Sequence, residues 1–272
     1  MEYHVTLPNA HPRGTVQSVV EVAEAAEELG FAGVWTTDHL LMPAGARYSR
    51  VLEPLVTLAF VAAKTSRVRL GTSVIVLPMR NPFVVAKQAA TVDLVSGGRL
   101  TLGLGAGWSE PEFKNVGADF KTRGRRLDES IRLFRHLFSG SREPFRGEFY
   151  GYDDGVFDPL PAQGEHLPVL IGGNSEAALR RATRQGDLWQ STGLGPDDFR
   201  ARAARLRRDL DGRTLELGAR ITLEGGLDEM RTQLEAWEGS GADHLLLSFA
   251  SEPERWVQAM RQLSGEVLQA AG

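Results

Sequence analysis

Residues 69–108 read RLGTSVIVLPMRNPFVVAKQAATVDLVSGGRLTLGLGAGW, and this stretch decides the fold. Leu70 to Leu77 is a run of apolar and β-branched residues, short enough for one buried strand. Pro78 and the Asn81-Pro82 pair stop that strand and start a helix over 83–96. Val84, Val85, Ala89, Val92 and Val95 fall close to helical period. Ser96-Gly97-Gly98 ends the helix, and 100–104 is a second buried strand running into Gly105-Ala106-Gly107. Strand, helix and strand predict a parallel βαβ unit. The polar and glycine-rich residues collect where both strands end, which is where a parallel α/β fold places its ligand.

The same rhythm extends in both directions. Upstream, the pattern predicts a strand over 3–7, a helix over 16–29 capped by Gly30, and a strand over 33–37 that delivers Asp38 and His39. A loop over 40–50 and a helix over 54–64 follow. Downstream come a short helix after Ser109, a long helix over 122–139, and an insertion over 140–164 with short antiparallel strands at Phe149-Tyr150 and Val156-Phe157. Strand and helix then alternate: 168–171 with 175–185, 188–190 with 196–210, 218–223 with 227–239, and 244–249 with 253–268. About eight strand–helix pairs predict a (β/α)8 TIM barrel, one domain over 1–272. The competing open doubly wound sheet carries fingerprint glycines in its first βα turn, where this chain has Pro8-Asn9.

Composition narrows the function. Hydrophobic residues make up 42% and charged residues 24%, as in an ordinary globular protein. A net charge of −4 gives no case for nucleic acid or an anionic membrane. Cysteine is absent, which excludes disulfides, thiolate nucleophiles and Cys-ligated metal. The start MEYHVTLPNA lacks signal-peptide organisation and no apolar run reaches spanning length, so the expectation is a cytoplasmic protein. No HExxH, P-loop or GxSxG sequence occurs, and the histidines lack metal-ligand spacing, so no metal is expected.

Three strand ends carry specific chemistry. Asp38-His39 can polarise a carbonyl or move a proton, or merely cap the next segment. Gly172-Gly173-Asn174-Ser175-Glu176 can turn backbone N–H groups and a helix dipole toward a phosphate, or form a plain βα turn with a Ser cap. Gly103-x-Gly105-x-Gly107-Trp108 offers small residues for a flat ring to lie against, with Trp108 walling a pocket or sitting in the core. Arg47, Arg50 and Arg80 lie on the loop face where an anionic ligand would meet them. Arg99, Arg123, Arg125 and Arg126 read as structural or solvated.

Together these residues resemble the luciferase-like monooxygenase superfamily, in its coenzyme F420-dependent oxidoreductase branch. The resemblance rests on GFAGVWTTDHL (30–40), EPLVTLAFVAAKTSRVRLGTSVIVLPMRNP (53–82), KQAATVDLVSGGRLTLGLGAGWSEPEF (87–113), RGRRLDESI (123–131) and PVLIGGNSEAALRRA (168–182). It implies a (β/α)8 barrel with an insertion after the fourth helix and a coenzyme, F420 or alternatively FMN, at the strand carboxyl ends. It further implies a non-proline cis peptide at Ser73-Val74 against the deazaflavin ring and a hydrogen bond from that ring to Asp38. His39 takes the proton-transfer role, Ala106-Gly107 the ring edge, and Gly172, Gly173, Ser175 and Glu176 the coenzyme phosphate.

F420-dependent sugar-phosphate dehydrogenases carry a glutamate where Trp108 stands and bind substrate phosphate partly through lysines, which are missing here after Lys121. The expected substrate is therefore a small uncharged or apolar molecule bounded by Trp108, Leu41 and Met42. The resemblance also implies a homodimer and a separate supplier of reduced coenzyme, an F420-reducing dehydrogenase or a flavin reductase. Alternatives are an FMN-dependent two-component monooxygenase and a non-catalytic flavin or deazaflavin binder.

Overall fold

The computed structural model describes residues 1–46 and 50–265. Eight parallel strands form the barrel: β1 (Glu2–Thr6), β2 (Gly33–Thr36), β3 (Arg69–Thr72, resumed at Ile75–Val76), β4 (Leu100–Gly105), β5 (Val169–Gly172), β6 (Leu188–Thr192), β7 (Glu216–Leu223) and β8 (His244–Phe249). The order β3-β2-β1-β8-β7-β6-β5-β4 closes on itself because β3 also pairs with β4, with Leu70 opposite Leu100. The fold is the expected (β/α)8 barrel. The helices are α1 (Val16–Leu29), α2 (Pro54–Ala62), α3 (Pro82–Val95), α4 (Glu110–Asn115), α5 (Arg123–Phe138), α6 (Glu176–Gln185), α7 (Pro196–Arg208), α8 (Leu227–Glu235) and α9 (Trp256–Leu263). None of them, among the described residues, is long and apolar enough to cross a membrane.

Local chemistry sets the helix ends. Thr15 accepts from Ser18 N while Ser18 Oγ accepts from Thr15 N, and Gly30 closes α1 at φ +84°. Asn81 caps α3 with Pro82 in its first turn. The main core lies between strands and helices, where Val5, Val34, Leu102 and Phe134 are fully buried. A smaller cluster of Trp35, Leu170, Leu188 and Leu246 fills the barrel interior. Glycines make room for it: a Cβ on Gly71 would stand 2.2 Å from the Trp35 ring, and one on Gly218 would stand 1.9 Å from His244 Nε2.

Three expectations need correction. The strand over 70–77 is interrupted at Ser73-Val74, whose peptide bond is cis as the resemblance implies. There the Val76 N–H donates to Asp38 Oδ2 at 2.9 Å. In the insertion after α5, the paired residues are Phe145–Arg146 and Gly151–Tyr152, not 149–150 and 156–157. The buried Glu129 carboxylate accepts from the N–H groups of Glu148, Phe149 and Tyr150 at 2.7–2.9 Å, which makes those residues the turn. The last helix opens as a short 3-10 turn, Pro253–Arg255, before α9; residues 266–268 of that expectation lie outside the described residues.

Candidate active site

At the carboxyl end of β2 the chain runs from Thr36 through Thr37 and Asp38 to His39. The His39 side chain is 7% exposed, and its Nδ1 lies 2.9 Å from Oε2 of Glu112, a residue 1% exposed on α4. The other Glu112 oxygen accepts from Leu40 N at 2.6 Å. One turn later Asn115 Nδ2 donates to Leu41 O at 3.0 Å. α4 therefore grips the segment 39–41. Burial works to raise the Glu112 pKa, but the hydrogen bonds from His39 and Leu40 outweigh it and hold the carboxyl below its ordinary value. Trp108 stands 66% exposed with its ring edge-on to His39 at 5.9 Å, and Leu40 and Leu41 are exposed beside Met42, which is half-buried. These residues form an apolar wall with one imidazole in it.

The floor of the barrel mouth is polar. Ser73 Oγ donates to Gln190 Oε1, and Arg220 Nη1 donates to Ser73 O at 3.1 Å. Ser248 Oγ donates to Thr6 Oγ1 at 3.0 Å. Val74 rises between Gly105 and Gly172, where added Cβ atoms would stand 2.5 and 2.7 Å from its methyl groups. The glycine run also has a packing reason. A Cβ on Gly103 would meet Thr72 O at 1.7 Å, and one on Gly107 (φ +81°) would meet Val76 at 2.5 Å. All three glycines are small because β3 and its neighbours crowd them. Ala106 is half-buried against the main core, and Gly107 O accepts from Arg123 Nε at 3.3 Å.

Asp38 sits beneath this surface, 2% exposed. Its Oδ1 accepts from Arg80 Nη2 at 2.6 Å, and its Oδ2 from Val76 N and from Arg80 Nε at 3.3 Å. Arg80 also reaches Glu53 at 3.1 Å, so its guanidinium is committed inside the protein rather than offered to an anionic ligand. Arg50 donates to Gly14 O, and Arg47 lies outside the described residues. Arg99 is structural as expected, donating to the carbonyls of Ala62, Thr65, Val68 and Ser96.

Beyond Gly172, Gly173 takes φ +123° and its carbonyl accepts from Trp189 Nε1 at 2.8 Å. Ser175 caps α6, accepting from Ala178 N at 3.2 Å. Glu176 is held by both Arg205 nitrogens at 2.7 and 2.8 Å, and that contact keeps its carboxyl below the ordinary value.

A cavity of about 1380 Å³ opens at the other end of the barrel, lined by Glu2, Arg69, Arg135, Asp187, Glu216 and Asp243 among others. Its charges are largely internal partners, Arg135 with Asp187 at 2.5 Å and Arg69 with Thr101 at 3.0 Å. In barrels the amino-terminal face serves stability and the carboxyl face serves chemistry, which makes the mouth around His39 the candidate site.

The model of the family described as luciferase-like monooxygenase matches residues 1–266. The chain belongs to this family. An uncharacterized protein from Mycobacterium tuberculosis is 34% identical over 205 residues, 70% of each chain. An F420-dependent glucose-6-phosphate dehydrogenase from Amycolatopsis mediterranei is 37% identical over 175 residues, 63% of this chain and 52% of that one. Pyrimidine monooxygenase RutA of Escherichia coli is 30% identical over 212 residues, 74% of this chain and 58% of its own. The chain thus spans only about half the length of these two enzymes. Among solved structures, monooxygenase RslO1 from Streptomyces bottropensis superimposes with a TM-score of 0.85 at 20% identity, covering all of both chains. The relatives of this chain thus include both an F420-dependent dehydrogenase and a monooxygenase.

Glu112 and Arg220 are candidate-site residues that carry no functional signal in the sequence, and Gln190 is marked there only by its place at a strand end. Ser109-x-x-Glu112 has the form of a capping box, and the Ser109 half forms, but the glutamate side chain turns to His39 instead.

Proposed function

We propose that this luciferase-like protein is an F420-dependent oxidoreductase that moves a hydride between deazaflavin C5 and a small, uncharged organic substrate. The observation that carries the reading is His39, a proton-handling imidazole fixed by Glu112 in the wall that Trp108, Leu40 and Leu41 expose at the mouth. Hydride transfer to or from an alcohol carbon moves one proton as well, and one imidazole beside an apolar wall suits that need. The similarity to F420-dependent glucose-6-phosphate dehydrogenases supports the choice of coenzyme.

The residues present suit a flat ring with an anionic tail. Val74 and the exposed apolar wall offer ring contacts, and the amino end of α6 favours phosphate oxygens, with the Glu176 charge taken up by Arg205. The bound coenzyme would supply the hydride chemistry. The protein's part is to hold the ring edge near Ala106-Gly107, exclude water with Trp108 and Leu41, and exchange the proton at His39. A homodimer belongs to the same proposal, supported by the apolar Val56, Phe60, Val84 and Val95 left exposed on α2 and α3; sedimentation velocity checks it.

Fluorescence titrations with F420 and with FMN test the coenzyme. Tight F420 and weak FMN binding supports the reading. The reverse moves it to an FMN-dependent monooxygenase fed by a flavin reductase, the second reading, which the similarity to RutA favours. His39→Ala should cut turnover with coenzyme affinity nearly intact; unchanged turnover removes the proton-transfer role.

A further inference from the structure

We propose that Glu112 is the positioning residue of His39, holding the imidazole with its proton on Nδ1 so that Nε2 is the nitrogen that exchanges a proton with substrate. This rests on the reading of His39 as the proton-transfer group.

The argument is one of donors and acceptors. An ionised carboxylate only accepts hydrogen bonds, so the ring nitrogen 2.9 Å from Glu112 Oε2 must carry hydrogen. A neutral imidazole has one N–H, and its basic lone pair then lies on Nε2. The carboxylate is held in place by its second oxygen, which takes the Leu40 N–H at 2.6 Å. Its depressed pKa agrees with an ionised group at neutral pH.

The contact joins the loop after β2 to the helix after β4, so two strands of the barrel set the ring's angle. Trp108 meets the ring edge-on, with centroids 5.9 Å apart. A bound coenzyme would supply the hydride chemistry; the part of His39 would be to take the substrate's hydroxyl proton on Nε2 as the carbonyl forms. Glu112 then faces the imidazolium so formed and stabilises its charge. In the reductive direction the same proton returns to the oxygen.

Glu112→Gln is the discriminating variant. The Leu40 N–H requires an acceptor, so the amide oxygen turns to Leu40 and the NH2 group faces His39. Nδ1 must then accept, and the proton moves to Nε2. In ¹⁵N NMR of the coenzyme-free protein, with His39 assigned through His39→Gln, the wild type should show the Nδ1–H tautomer and Glu112→Gln the Nε2–H tautomer. Turnover should fall by on the order of 10²-fold or more, with coenzyme affinity and KM within about threefold. Glu112→Asp, which keeps a carboxylate, should retain the Nδ1–H form and recover part of kcat even if the glutamine variant folds poorly.

An Nε2–H tautomer in the wild type, or unchanged turnover in a folded Glu112→Gln protein, overturns the assignment. The NMR arm needs no coenzyme. The expected tautomers without any F420-linked turnover would therefore uphold Glu112 while sinking the proposed function.

Discussion

Gly105 lies so close to Val74 that a Cβ on it would stand 2.5 Å from Val74 Cγ2, and Gly172 meets the same side chain from the neighbouring strand. The valine is thereby seated between two strands at the point where β3 is interrupted. Gly105→Ala should destabilise the protein by about 1–3 kcal/mol through overpacking. In a Val74→Ala background the same change should be nearly neutral. A double-mutant cycle by urea denaturation measures the coupling, and strictly additive effects would mean that Val74 is not what confines Gly105.

The interruption of β3 shows where sequence reading reaches and where it stops. Val74 is β-branched and suits a strand, so nothing in the local pattern marks a break, and the cis bond before it was legible only through the family resemblance. The determinants of the break are Asp38, Gln190 and Arg220, separated from their β3 partners by 38, 117 and 147 positions. The helix over 16–29, by contrast, carries its own start at Thr15 and stop at Gly30 and was fully legible. The strand over 244–249 was equally legible as a short apolar run.

At the site, Asp38, His39 and Trp108 stood out because polar or aromatic residues cluster at strand ends. Glu112 did not. Its pattern resembles a helix cap, and the partner that redirects its side chain is 73 residues away. Arg220 was hidden by its place inside the strand Gly-Ala-Arg-Ile-Thr-Leu, where only closure of the barrel shows that it faces Ser73.

The barrel interior makes folding sensitive to acid. His4 and His244 are 4% and 2% exposed with ring centroids 5.4 Å apart, and Trp35 Nε1 donates to His4 Nδ1. Burial first, then the neighbouring His4, pushes His244 down to about 3, against a partial opposing pull from Glu2. The native state keeps it neutral while the unfolded chain takes up a proton below about pH 6.5. Its stabilising contribution is therefore complete above that pH and is lost as the pH falls toward 3. The slope is at most about 1.4 kcal/mol per pH unit for one proton. Urea midpoints between pH 7.5 and 5 should fall more steeply for the wild type than for His244→Gln; equal slopes would exclude His244 as a contributor.

Arg80 and Asp38 form a buried pair whose halves are not dispensable separately. Arg80→Met leaves the Asp38 carboxylate with the Val76 N–H but without its counter-charge, 2% exposed. Breaking such a pair from one side costs about 3–5 kcal/mol. Adding Asp38→Asn should restore part of that loss, since the remaining group is then neutral. Denaturation midpoints for the two single variants and the double variant decide it, and a double variant no better than Arg80→Met would show that charge burial is not the cause.

Trp108 tests the apolar wall directly. A ring 66% exposed beside Leu41 is unusual for so large a side chain unless another molecule covers it. Covering about 100 Å² of its surface would contribute about 2.5 kcal/mol, less the cost of ordering the ligand. Trp108→Ala should accordingly raise KM by about 10-fold or more, while the coenzyme dissociation constant changes by less than about threefold. Trp108→Phe should keep most of the affinity because a flat ring still meets His39 edge-on. Should the coenzyme constant move and KM stay fixed, the ring belongs to the coenzyme platform and the substrate lies elsewhere in the mouth.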